Sequence, residues 1–383
     1  MKVLHVIPSL AQADGGPSRA IALMEVALSA LGVSVETAST DDDGPGSHNG
    51  KPCDKALNEN GVVRRYFAKR HDFYKAAPSF AGWIEDHVRD YDIVHVHALF
   101  SFMPLAAARA ARRSKVPYVM RPLGTLNTYG LSNRRPLLKS LSMRWIEGPA
   151  LRHAAAVHFT SEDEAVQART TGISMRSRVI PLGVEVATQA SSIERLPHPS
   201  AARILFLSRL DPKKNAEGLL DAFALLRQSF PQATLVMAGD GEPGYVTSLK
   251  ERAALLRLSS SVEWTGHVQR ESKEAAFARA DVFALPSFSE NFGIAAAEAL
   301  AQGLPCLLGE GVAIAREVEA AGAGIAVRPE PAAIAEGLQR IISDKANYTS
   351  MARKARKLAQ DQFSIETMGV RLKELYTGIL GGK

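Results

Sequence analysis

Short apolar, β-branched runs alternate with longer amphipathic stretches along the whole chain, and the pattern is run through twice. In the first half the runs are Val3–Ile7, Val33–Ala38, Ile93–His97, Tyr118–Met120, Ala156–Thr160 and Val179–Pro181. In the second half they are Ile204–Ser208, Thr234–Ala238, Val262–Thr265, Val282–Leu285, Cys306–Leu308 and Gly324–Val327. Several are apolar on both faces, as strands of a parallel sheet are when helices cover both sides. Segments of helical period separate them, for example Arg19–Leu31, Leu105–Arg113, Gly218–Phe230, Tyr245–Leu258 and Ala332–Ile342. This order predicts an α/β protein of two doubly wound domains. Residues 186–202, polar and ending on Pro197 and Pro199, lack apolar periodicity and mark the boundary. The last stretch, Ile365–Leu380, puts Met368, Leu372, Leu375 and Ile379 on one face and reads as a helix.

Composition narrows the class. The 383 residues suit two domains, since a domain typically takes about 100–200. At 46% hydrophobic and 22% charged, the chain can build cores and is not disordered. Cys53 and Cys306 are too few for a disulfide framework or a cysteine zinc site and fit a reducing compartment. No apolar run approaches the ~20 residues of a spanning helix, and the opening Met1–Pro8 is too short for a signal-peptide core. The reading is cytoplasmic. Net charge is +6, yet residues 109–152 hold ten Lys/Arg and one acid, Glu147. That segment should attract something anionic: phosphate groups, a lipid surface or nucleic acid. Within it, Arg134–Trp145 reads as a basic helix with Leu137, Leu138, Leu141 and Trp145 on one side. It is either a core helix with a solvated basic face or a helix resting on an anionic membrane. Nucleic acid is disfavoured, because aromatics are 7% of the chain and do not interleave with the basic cluster.

In open α/β sheets, ligands bind beyond the carboxyl ends of the strands. After the first run, Asp14-Gly15-Gly16-Pro17-Ser18-Arg19 leads into a helix; paired glycines there let backbone N–H groups approach a phosphate, or simply make a turn. His95 and His97 share one face of their strand, as core histidines or as cleft groups. Arg121, with Pro122-Leu123-Gly124-Thr125, follows the next strand, and Glu162 and Glu164 follow the one after. In the second half, Arg209 and Lys214 lie five apart across a loop and suit a diphosphate. Each cation at ~4 Å interacts by about 4 kcal/mol at an effective dielectric near 20. A helix terminus adds roughly 0.3–1 kcal/mol, so the side chains should dominate. Gly239-Asp240-Gly241 offers backbone to a nucleobase or ribose, or a plain turn. Pro286–Leu300 is the most informative stretch: a loop carboxylate, Glu290, then an alanine-rich helix with Glu298 in its second turn. An unpaired charge in that apolar segment is costly, which suggests a hydroxyl-rich ligand. Asp41-Asp42-Asp43 invites comparison with a cation site, but its Gly- and Pro-containing surroundings read as a solvated loop.

Taken in order, these motifs resemble family 4 of the retaining GT-B glycosyltransferases. The resemblance rests on Glu290 and Glu298 with Phe292-Gly293 between them, the Arg209/Lys214 pair, Gly15-Gly16, the Asp92–His97 strand, Arg121–Gly124 and Pro181–Val184. It implies two Rossmann-like domains facing across a cleft: residues 1–190, completed by a returning helix at 363–383, for the acceptor, and 200–362 for the nucleotide-sugar. His97, Arg209, Lys214 and Glu290 would be catalytic. Gly16, Gly239, Asp240, Asn291, Phe292, Gly293 and Glu298 would bind the donor, with Glu298 on the ribose. Gly15, Arg19, Arg121 and Glu164 would lie on the acceptor side. The implied reaction moves a sugar from a nucleoside-diphosphate-sugar to a saccharide or polyprenyl-linked acceptor, in cell-surface polysaccharide or glycolipid synthesis. It proceeds with retention and needs no metal or other cofactor. The protein would be cytoplasmic, either free or peripheral at the inner face of the plasma membrane. Leu182 replaces the family's frequent Asn and Glu185 its Asp, and Gly311–Glu317 is less glycine-rich than usual, which leaves the donor sugar open. The rival of the same fold is a nucleotide-sugar 2-epimerase, which would need acid/base groups around C2 of the sugar; no such set stands out.

Overall fold

The computed structural model describes residues 1–11, 16–59, 61–126, 136–186 and 201–382. Two units make up the chain: Met1–Gly183 with Ile365–Lys383, and Val184–Ser364. The expected linker at 186–202 falls largely outside the described residues.

The first unit holds β1 (Lys2–Val6), β2 (Ser34–Thr40), β3 (Ala56–Glu59), β4 (Val62–Phe67), β5 (Ile93–His97), β6 (Tyr118–Arg121), β7 (Ala156–Phe159) and β8 (Ser177–Val179). They form one sheet in the order β3-β4-β2-β1-β5-β6-β7-β8, parallel except for β3. In the second unit β9 (Arg203–Leu207), β10 (Thr234–Ala238), β11 (Val262–Gly266), β12 (Val282–Leu285), β13 (Cys306–Gly309) and β14 (Gly324–Val327) give the order β11-β10-β9-β12-β13-β14. Eleven of the twelve apolar runs became strands, in the doubly wound arrangement that helices on both faces stabilise; the twelfth, Val179–Pro181, shares only Val179 with β8, which starts at Ser177.

β3 and β4 were not expected. Their residues are charged where an inner strand would be apolar: Arg64 donates to Glu25 Oε1 at 3.2 Å and Arg65 to Glu36 Oε1 at 2.5 Å. These cations neutralise acids on neighbouring elements and so can sit near a sheet edge. The same region corrects the reading of Asp41–Asp43. Asp41 and Asp42 are buried, not solvated. Lys69 Nζ contacts Asp42 Oδ1 at 2.6 Å and Lys75 Nζ its Oδ2 at 2.7 Å, while Asp41 accepts from the Lys69 amide at 2.7 Å. Ammonium groups occupy the place a metal would need.

The helix Ile365–Gly381 buries Met368, Leu372 and Tyr376, and it packs on the helix Gly16–Ala30. Gly369 permits that approach: a Cβ there would lie 2.9 Å from Ala27 Cβ. Each sheet changes winding direction beside its first strand. β1 lies between β2 and β5, and β9 lies between β10 and β12. Those two switch points are where such sheets take ligands.

Candidate functional site

At the second switch point, the loops after β9 and β12 are tied together by backbone and by one side chain. The Phe288 amide donates to the Lys213 carbonyl at 2.9 Å. Asn215, buried and left-handed at φ 56°, donates from Nδ2 to the Pro286 carbonyl at 3.2 Å and to Pro329 at 2.7 Å. This residue was invisible to motif reasoning, because a lone Asn before a helix reads only as a cap. The Gly239 and Gly241 turn backs the same loop. A Cβ on Gly239 (φ 142°) would sit 1.8 Å from the Ser208 carbonyl oxygen, and one on Gly241 would sit 2.1 Å from that of Leu210. Asp240 is exposed, and its Oδ1 accepts from the Gly241 amide at 2.8 Å. These positions therefore shape the loop that carries Arg209, which is exposed.

Lys214 and Glu290 meet: the ammonium donates to Glu290 Oε2, with both side chains mostly covered. Glu290 is clamped by backbone, its amide on the Gly311 carbonyl at 2.9 Å and its carbonyl under the Ala313 amide at 3.0 Å. Gly293, left-handed at φ 89°, begins the helix Ile294–Ala301. A Cβ there would be 3.0 Å from Val312 Cγ1. Glu298 is buried in the second turn of that helix and pairs with Lys273 Nζ at 2.5 Å. Lys273 lies on the polar helix Arg270–Arg279, and nothing in its local pattern pointed to the site. Phe292 turns inward against Phe363, with ring centroids 5.7 Å apart at 89°, so only its backbone is available. Asn291 is exposed. Lys213 adds a third cation to this loop. Burial and the neighbouring Lys214 hold its pKa below the usual lysine value.

At the first switch point, His97 ends β5 and is fully buried beside His5 of β1. Their Nε2 and Nδ1 atoms are 2.9 Å apart and the rings stack at 5.0 Å. His95, on the same face, is part of a directional chain. The Ile180 carbonyl can only accept, so His158 Nε2, 2.8 Å away, carries a proton. His158 Nδ1 then accepts from His95 Nε2 at 3.4 Å, and the Tyr376 hydroxyl donates to His95 Nδ1 at 2.7 Å. His95 is thus a satisfied core histidine. His97 Nδ1 and His5 Nε2, by contrast, are buried without a partner. Burial first, and then the charge on Arg121, lower His5 and His158 to a pKa of about 3. Burial likewise keeps Arg121 at about 10, opposed by Glu164. Ring nitrogens of His5, His95 and His97 lie within 4.8 Å of one another, a spacing a metal could use. The buried guanidinium beside them sets the local field against a cation.

Glu164 accepts from the Gly124 amide at 2.7 Å and from the Thr160 amide at 2.7 Å, which fastens the Arg121–Gly124 loop to the end of β7. Gly16 begins the first helix, Arg19 is exposed on it, and Gly15 lies outside the described residues.

Two family models match the chain: a glycosyl transferase 4-like domain over residues 15–183 and glycosyl transferases group 1 over 191–358. The Mycobacterium tuberculosis glycogen synthase is 25% identical over 253 residues, covering 62% of this chain and 60% of the synthase. The chain therefore spans about 60% of that relative's length. A GDP-mannose:cellobiosyl-diphosphopolyprenol alpha-mannosyltransferase of Xanthomonas oryzae pv. oryzae is 27% identical, covering 85% of this chain and 83% of the relative. Among solved structures, Anabaena HepE in complex with UDP and glucose superposes with a TM-score of 0.75 at 21% identity, covering 99% of this chain and 100% of that one. The shared fold is GT-B.

Proposed function

Because the chain belongs to the group 1 glycosyl transferases, we propose that it moves a sugar from a nucleoside-diphosphate-sugar to a hydroxyl of a saccharide or polyprenyl-linked acceptor, with retention and without a metal. The observation that carries this reading is the cluster at the carboxyl edge of β9 and β12. Lys214, Glu290, the helix start at Gly293 and Glu298 are gathered there, with Arg209 on the adjoining loop. A relative named as acting on a diphosphopolyprenol-linked sugar, and a solved neighbour holding UDP and glucose, support the substrate classes.

In this mechanism Arg209 and Lys214 stabilise the departing diphosphate, helped by the amides at the start of the Ile294–Ala301 helix. Glu290 and the Asn291–Gly293 backbone hold the sugar hydroxyls, and Glu298 the ribose. The acceptor hydroxyl approaches the anomeric carbon from the face the diphosphate leaves, and the leaving oxygen takes its proton. Charge that a divalent cation would otherwise neutralise is met by fixed side chains, and both carboxylates are already paired with lysines.

The apolar side of the basic segment supports an acceptor presented at a membrane. Leu138, Leu141 and Trp145 are 57%, 62% and 68% exposed, so they are not a core face. The segment is a short helix, Pro136–Ser142, followed by a π turn, Met143–Glu147. Arg134, Arg135 and the Leu137 side chain lie outside the described residues. No helix among the described residues is long and apolar enough to cross a membrane; the association proposed is peripheral, at the inner face of the plasma membrane.

The test uses UDP-, GDP- and ADP-sugars with a polyprenyl-diphosphate-linked saccharide, followed by NMR of the product. One donor should transfer with its anomeric configuration kept, at an unchanged rate in EDTA. An inverted product overturns the mechanism. Conversion of donor alone to its C2 epimer overturns transfer and establishes the epimerase.

A further inference from the structure

Beside the exposed Leu138, Leu141 and Trp145 lies a cavity of about 410 Å³ walled by Lys139, Arg144, Arg152, Met143, Thr171 and Ile173, and none of its lining residues is acidic. Its size suits a small polar headgroup, since ligand pockets run from about 300 to 1,000 Å³. Three basic residues line one pocket, with two apolar residues and the hydroxyl-bearing Ser140 and Thr171 to complete the wall.

The pocket is built by an unusual local structure. Gly148 N–H donates to the Met143 carbonyl, five residues back, which is the wide bond of a π turn. Gly148 is required there, because a Cβ would lie 2.4 Å from Met143 O and 3.3 Å from Ile173 Cδ1. The turn thereby brings Ile173, just past the helix Glu162–Arg169, against the segment that carries Arg144 and leads to Arg152. Lining and exposed residues interleave along the chain: Leu138, then Lys139; Leu141, then Met143 and Arg144; then Trp145, with the Arg144 guanidinium 5.4 Å from its ring centroid.

We propose that this pocket takes the phosphate headgroup of an anionic glycerophospholipid while Leu138, Leu141 and Trp145 enter the bilayer interface. The proposal deepens the membrane reading above and rests on it. A diffuse basic face attracts any anionic surface, at about fivefold in partitioning per basic residue near the surface. A walled pocket adds a demand for phosphate. Arginine meets phosphate with paired N–H donors that a flat charged surface does not organise.

Co-sedimentation with vesicles tests it, with no sugar nucleotide present. The full chain should bind phosphatidylcholine vesicles containing phosphatidylglycerol at least tenfold better than vesicles of matched zeta potential made anionic with oleate. Arg152→Gln should remove more than tenfold of the phosphatidylglycerol binding. Arg178→Gln, the same charge change on an exposed arginine outside the pocket, should remove twofold or less. Millimolar glycerol 3-phosphate should compete with the vesicles if the pocket reads a glycerophosphate, and inorganic phosphate should compete less. Equal binding to the two vesicle types, equal loss from the two arginine variants, or no vesicle binding at all overturns the proposal. Stronger competition by inorganic phosphate overturns the lipid headgroup as occupant. Transfer to a water-soluble acceptor, measured in parallel, should be unchanged in Arg152→Gln. Its absence in wild type would count against the transferase and leave the vesicle result standing.

Discussion

The two units share one winding plan but place their titratable groups in opposite ways. The first buries them within the sheet: His5, His95, His97, His158 and Arg121 are all on strands and all buried. The second keeps the cores of strands β9, β12 and β13 apolar and puts its charges on the loops and helices beyond them, where Lys214 pairs with Glu290 and Lys273 with Glu298. A charge in a sheet interior is linked to folding stability, because its protonation state must match its surroundings. A charge beyond the strand end, mostly covered and paired with an exchangeable partner, is available to a ligand. The first unit's sheet is therefore the pH-sensitive one, and the second unit carries the electrostatics of the proposed donor site.

Acid should break this symmetry most. Neutral buried histidines bind fewer protons folded than unfolded, so stability is complete above pH ~6.5 and falls as pH drops toward the depressed folded values, about 3 for His5 and His158. If all four rings charge on unfolding, the slope approaches about 5 kcal/mol per pH unit below pH 6. Hydrogen exchange at pH 7 and pH 5 should show β1, β5 and β7 losing protection before β9 and β12; equal loss would refute the contrast. Next in size is Lys214→Ala, expected to lower turnover by roughly 10²–10³-fold, the usual cost of removing a charge-stabilising donor. A near-wild-type rate would remove Lys214 from the diphosphate site. Gly239→Ala should destabilise the second unit by about 1–3 kcal/mol through overpacking, read by urea denaturation with Trp264 fluorescence. The smaller tests concern individual acids. Burial raises Glu147 to about 7, against the Phe100 amide it accepts from. The folded state then holds a proton that the unfolded one has released, and stability declines from pH ~4.5 to ~7. Glu147→Gln should flatten that decline, by on the order of 3 kcal/mol at pH 8. Lys273→Ala should change donor affinity by only about tenfold, a hydrogen bond to a charged group being worth about 1.5 kcal/mol, as isothermal titration would show.

Much of the fold could be read from the chain because several inner strands, β5, β12 and β13 among them, are buried on both faces, and burial on both sides permits little else. β3 and β4 escaped because Arg64 and Arg65 find their acids only after folding, on β2 and the first helix. The same reason hid the state of Asp42: three consecutive acids read as solvated until Lys69 and Lys75 arrive from elsewhere in the chain. Of the candidate site, Glu290, Glu298, Arg209 and Lys214 announced themselves by spacing. Asn215 and Lys273 did not, because a single polar residue carries no period.

The sequence by itself determined the elements, their order and the chemical groups at the strand ends, since these follow from local periodicity and residue type. Tertiary structure alone decided which groups meet. Parallel register set His5 beside His95, the C-terminal helix brought the Tyr376 hydroxyl to the latter, and the π turn at Met143–Glu147 opened the basic pocket. Pairing across the sheet depends on distance in space, and a linear pattern records only distance along the chain.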